Sequence, residues 1–257
     1  VFQRAQNVSG ILRAWLPAVP AERFHVVTVP PPSAPRSLLW ERFASVVGVD
    51  PEVCEKPPPT NNESIGQASA GLVRLLNLEL GKLTLSDYRA VVKTELAARV
   101  LSERAKVEPR ANTNHALRTF AARVNTANRD AIVAAGVEVT GDLDDLPTEA
   151  GPAPEGTGDD LVMPTAEQYL ESAAFAIPRM HEVMHKRARK LRKLDVEVED
   201  ALAEMPELPA EFDASRWSAA LDPVDAAVRE LAAVVRVAIE LQRRLYTKQD
   251  EKKAKRD

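Results

Sequence analysis

Phe24-His25-Val26-Val27-Thr28-Val29-Pro30-Pro31-Pro32 is the stretch on which the fold turns. Its residues are mostly β-branched or aromatic, and three prolines stop it. A nearly unbroken apolar run suits a strand covered on both faces, as in a parallel sheet. No other stretch reads convincingly as a strand, so the sequence predicts about one. A lone strand cannot satisfy its own backbone donors and acceptors. The expectation is therefore that its ladder partners come from outside the 257 residues.

On either side the apolar period becomes helical. Val8, Ile11, Leu12, Trp15 and Leu16 fall on one face before Pro17 and Pro20, and Leu38, Leu39, Phe43, Val46 and Val47 do so before Gly48 and Pro51. Beyond a loop stiffened by Pro57-Pro58-Pro59, helices are expected over 65–80, 85 to about 104, and 112–135, with Gly81 and Gly136 ending the first and last. Val137 to Pro147 reads as an extended tail with turn residues. Residues 148–162, rich in Gly, Pro and acid, read as a disordered linker.

Thr165 and Gln168 then form a capping box that opens a long helix. Leu170, Ile177, Met184, Leu191, Val198 and Met205 recur every seven residues along it until Pro206 and Pro209. Asp222-Pro223 opens a second helix with the stripe Val224, Val228, Leu231, Val235, Ala238, Leu241 and Leu245. Two such stripes predict an antiparallel α-helical hairpin over 163–257, whose 163–247 portion offers a surface for self-association. The chain is thus expected to be mainly α, organised as 1–147, 148–162 and 163–257.

Composition narrows the function. With 34 Lys+Arg against 38 Asp+Glu, the net charge of -4 provides no general positive field for nucleic acid. No apolar run approaches the roughly 20 residues that cross a bilayer. The single cysteine, Cys54, excludes an internal disulfide framework and suits a reducing, cytoplasmic setting.

Four stretches in order carry a family resemblance: Phe2-Gln3-Arg4-Ala5-Gln6-Asn7-Val8 with Phe24 to Pro32, Leu39-Trp40-Glu41-Arg42-Phe43-Ala44-Ser45-Val46-Val47-Gly48-Val49-Asp50-Pro51, Asn62-Glu63-Ser64, and Gly141-Asp142-Leu143-Asp144-Asp145-Leu146. Together they resemble the distal, C-terminal part of a bacterial sulfotransferase domain over residues 1–147. The resemblance implies a P-loop-like α/β fold with a parallel sheet. It also implies sulfuryl transfer from 3′-phosphoadenosine 5′-phosphosulfate to a hydroxyl or amine acceptor. Such chemistry needs a phosphate-cradling loop at a strand-to-helix turn and a base to take the acceptor's proton. The chain contains no glycine-rich phosphate loop, and in the family both parts lie upstream of the matched region. The expectation is a chain without the donor-binding half, inactive as it stands, with no tightly bound donor and no catalytic residue to assign.

Asn62 and Ser64 carry short hydrogen-bonding side chains suited to a nucleotide or acceptor cleft; the simpler reading makes Asn62 a loop residue and Ser64 the cap of a helix from Ile65. His25 reads as a core histidine. His181-Glu182-Val183-Met184-His185 matches H-E-x-x-H, in which two imidazoles one turn apart bind zinc and the glutamate polarises water. The cationic run Lys186 to Lys193 directly after it opposes a divalent metal, and both histidines read as surface residues beside the seam. The run itself reads as a solvated helical face. Two alternatives therefore stand beside the sulfotransferase reading: a non-catalytic helical interaction protein and a zinc hydrolase.

Overall fold

The computed structural model describes residues 7–53, 65–110, 113–153 and 162–254. In chain order its main elements are α1 (Val8–Trp15), β1 (His25–Val27), α2 (Leu38–Val47), α3 (Gln67–Leu80), a π-helix (Tyr88–Val100), α4 (His115–Ala135), β2 (Glu138–Thr140), α5 (Ala166–Arg192), α6 (Glu199–Ala203) and α7 (Pro223–Ala254). It is mainly helical, with a small parallel sheet. Among the described residues no helix is long and apolar enough to cross a membrane.

The compact units do not follow the boundaries expected from the sequence. Val1–Pro59 combines with Asn112–Leu161, and Thr60–Ala111 combines with Val162–Asp257. The physical reason lies in the apolar faces. Leu72 and Leu76 of α3 and Val91 and Leu96 of the π-helix are fully buried in one cluster with Ile177, Met180 and Leu231 of the C-terminal helices.

In the first unit β1 has a partner within the chain, which corrects the expectation of a lone strand. His25, Val26 and Val27 pair in parallel with Glu138, Val139 and Thr140. Hydrogen bonds from Thr28 N to Thr140 O (3.2 Å) and from Glu138 N to Phe24 O (3.2 Å) extend the ladder. β2 lay hidden in the supposed tail because the four residues between Gly136 and Gly141 are too few to show a period. Leu12, Ile132 and Val137 form a small core under the strands, with Phe24, Val26 and Val139 packed on it. α2 lies against both strands, but Leu39, Phe43 and Val47 remain 40%, 48% and 49% exposed. Of the segment read as a linker, 154–161 lies outside the described residues, while Arg118 Nε holds Gly151 O at 3.0 Å.

In the second unit the stretch read as an ordinary helix from Leu85 is largely a π-helix. Its inward face carries the neighbours Val91 and Val92, then Leu96 four to five residues on and Val100 four beyond it, wider than the three-to-four alternation of an α-helix. Thr165 and Gln168 make both bonds of the capping box. α5 ends at Arg192 rather than running on to Pro206. Asp195, at φ 56°, turns the chain there, in the left-handed region that aspartate tolerates better than most residues.

α5 and α7 do not form an antiparallel hairpin. Arg187 donates to Ala238 O (3.2 Å), Glu230 acts electrostatically on His181, and Arg244 grips Asp200 just past the end of α5 (2.7 Å). Partner numbers rise together, so the helices run in the same direction. A 27-residue helix is about 40 Å long, and residues 193–222, at ~3.3 Å each when extended, readily return that far. The heptad residues Ile177, Met184 and Leu191 and the stripe from Val228 to Leu245 are buried inside the unit.

Candidate functional site

Three of the stretches that carry the sulfotransferase resemblance, those holding Thr28, Arg42 and Asp145, meet at the carboxyl ends of the two strands. Directly after β1, Thr28 is 3% exposed. Its hydroxyl donates to Asp145 Oδ2 (2.7 Å) and accepts from Asp142 N (3.1 Å). From α2, Arg42 Nη1 donates to Asp145 Oδ2 (2.6 Å), to Thr28 O (3.0 Å) and to Thr28 Oγ1 (3.0 Å). Asp145 itself sits on a helical turn, Leu143–Asp145, that Asp142 caps by accepting from Asp144 N at 2.8 Å. The hydrogen bond from Thr28 and then the Arg42 guanidinium hold the Asp145 carboxyl below its usual range.

Gly141 makes the approach possible. At φ 114° it joins β2 to this turn, and a Cβ there would run into Thr28 Oγ1 and Arg42 Nη1. Thr28, Arg42 and Asp145 therefore bind three separate stretches into one clasp. Every polar group of Thr28 is engaged, so the clasp positions its loops. Sequence reading singled out the strings that contain these residues without pairing them, because partners up to 117 positions apart leave no local spacing signal.

Asn62 and Ser64, the positions offered for a cleft, lie outside the described residues. The helix expected from Ile65 begins at Gln67, with Gly66 at its N-cap position. Glu108 closes that end instead. It accepts from Ser69 N (2.9 Å), Ser69 Oγ (2.8 Å) and Ser172 Oγ (2.8 Å) and pairs with Arg104. Burial opposes its charge, but these partners overcome that and leave its pKa lowered.

His25 is not in a core. It is exposed, and its Nδ1 lies 3.3 Å from Glu138 Oε2 across the strand pair. The H-E-x-x-H residues also sit differently from the expectation. His185 is exposed, but His181 is 3% exposed, and its Nε2 has no hydrogen-bond partner among the described residues. It lies one turn from Ile177 and Met184 on the inward face of α5, which a heptad count placed at the seam's edge. Desolvation and then the neighbouring His185 lower its pKa, against the attraction of Glu230. Among the described residues no group of three or more His, Cys, Asp or Glu is placed to hold a metal ion.

The basic run is not wholly a solvated face. Lys186, Arg189 and Lys190 are exposed, but Arg187 is 9% exposed and bonds Glu95 Oε1 at 3.1 Å. Desolvation lowers the Arg187 pKa, and Glu95 works against it. No family model, curated protein or solved structure matches the chain.

Proposed function

We propose that this chain belongs to a sulfotransferase-type group-transfer protein, with its parallel-strand unit forming the distal part of the transferase domain. In this reading an acceptor oxygen or nitrogen attacks the sulfur of 3′-phosphoadenosine 5′-phosphosulfate. The bond from sulfur to the bridging oxygen of the donor breaks, and a base takes the acceptor's proton. The observation that carries the reading is the Thr28–Arg42–Asp145 clasp. It gathers three of the stretches that resemble the family at the carboxyl ends of parallel strands, where open α/β sheets place their ligand crevices. The apolar face that α2 leaves exposed is also what a sheet continued by further strands would cover.

Within this proposal Arg42 and Asp145 are positioning residues. They fix the loop after β1 and the turn after β2, and they neither touch the donor nor move a proton. The acceptor is a hydroxyl or an amine.

The test uses the natural gene product that carries these residues, supplied with 3′-phosphoadenosine 5′-phosphosulfate and a mixed pool of hydroxyl and amine acceptors. Mass spectrometry reads donor-dependent gain of one SO3 group. Transfer that falls in Thr28→Val, with chain folding retained by circular dichroism, is the expected result. Absence of any transfer across the pool overturns the proposal.

A further inference from the structure

The second unit contains a groove of about 660 Å³ between the π-helix, α5 and the C-terminal part of α7. Its size is within the range of small-molecule sites, roughly 300–1,000 Å³. Two polar residues lining it are more than nine-tenths buried: Arg187 (9% exposed) and Gln242 (7% exposed). The Gln242 amide has no hydrogen-bond partner among the described residues. Its oxygen and nitrogen are not among the fully buried unpartnered atoms, so they open onto the groove, where they are available to a ligand.

The charges of the lining do not cancel. Glu95 alone answers two guanidiniums, with Oε1 at 3.1 Å from Arg187 and its two oxygens at 3.0 and 2.9 Å from Arg99. Glu103 answers Arg179 (3.5 Å) and Glu182 answers Lys186 (3.9 Å). Lys190 also lines the groove and has no acidic partner among the described residues. The lining thus has five cations and three carboxylates, a surplus of two positive charges. Val100 and Leu245 add apolar wall beside them.

We propose that this groove binds a phosphomonoester, with its dianionic head against Arg187, Gln242 and Lys190 and its organic part along Val100 and Leu245. A surplus of two cations matches a phosphomonoester, which carries about −1.5 to −2 at neutral pH, better than a carboxylate. Arg187 has donors beyond the two that it gives to Ala238 O and Glu95. Its desolvated guanidinium also gains from an added anion.

The experiment is isothermal titration calorimetry of the full chain with phenyl phosphate, with benzoate as the monoanionic control. Phenyl phosphate is expected to bind with a Kd below about 1 mM, and benzoate at least about fivefold more weakly. Lys190→Glu, an exposed change, is expected to weaken phenyl phosphate by about tenfold or more. Gln242→Leu is expected to weaken it with the melting temperature retained. Absence of binding heat, equal binding of benzoate, or unchanged affinity in both variants overturns the proposal.

Discussion

The two compact units of this chain use their apolar residues in different ways. The unit built on α3, the π-helix, α5 and α7 closes around a continuous core, with Leu72, Leu96, Met180, Leu231 and Leu241 fully buried. The unit built on β1 and β2 has Leu12, Ile132 and Val137 as its buried cluster and leaves Trp15 58% and Phe43 48% exposed. Buried apolar area is the main favourable term in folding. The helical unit therefore carries its own stability, while the strand unit relies more on polar ties such as the Arg42 clasp.

The largest contrast is expected from core truncation. Leu96→Ala in the helical unit should cost about 3–5 kcal/mol in urea unfolding, and Leu12→Ala in the strand unit about 2–3 kcal/mol, because neighbours of a small, partly open cluster can relax into the space. Equal losses would remove the distinction.

Next comes the buried ion pair. Arg187→Ala leaves the Glu95 carboxylate facing Arg99 and an empty guanidinium site, for a loss of about 3 kcal/mol. The double change Arg187→Met with Glu95→Gln should recover most of it, since neither product leaves a buried charge without its partner. A double variant no more stable than Arg187→Ala would show that the loss comes from packing.

A smaller effect is electrostatic and belongs to the helical unit. His181 has a lowered pKa, so the unfolded chain binds its proton first, and stability is lost as pH falls through the ordinary value of 6.5 towards the native one. Burial first, then His185 against Glu230, sets how far below that value the loss continues. Glu108 also has a lowered pKa. Its contribution is complete above the ordinary value of 4.5 and is lost as pH falls through the native one. Melting temperature against pH should therefore fall in two stages, and His181→Leu should flatten the upper stage alone. An unchanged upper stage in that variant would assign it to another group.

The smallest effect is expected at the clasp. Thr28→Val keeps the shape and removes the hydroxyl, for a loss of about 1–2 kcal/mol confined to the strand unit. Simultaneous weakening of the helical unit would mean that the two unfold together.

The elements that were legible in the sequence are those with strong local signals. The Thr165–Gln168 capping box, the terminating Gly48, Gly81 and Gly136, and the stripe from Val228 to Leu245 stand where their spacing put them. What failed to show was set by distant partners. β2 is three residues long and acquires its identity from β1, more than a hundred positions away. The relative direction of α5 and α7 depends on the path of residues 193–222, which has no strong period. The step of four to five from Val91 and Val92 to Leu96, and then of four to Val100, is close enough to a helical period that the stretch reads as an ordinary helix. The clasp and the Glu108 tie were invisible for the same reason as β2: each joins residues from separate stretches.

The most direct test of the two-unit account is native-state hydrogen exchange on the full chain, read by mass spectrometry of proteolytic peptides. Peptides from Gln67–Leu80 and Tyr88–Val100 should share the slowest exchange with those from Ala166–Arg192 and Pro223–Ala254, and His115–Ala135 should exchange faster. Exchange of Gln67–Leu80 and Tyr88–Val100 in step with His115–Ala135, and apart from the C-terminal helices, would contradict it.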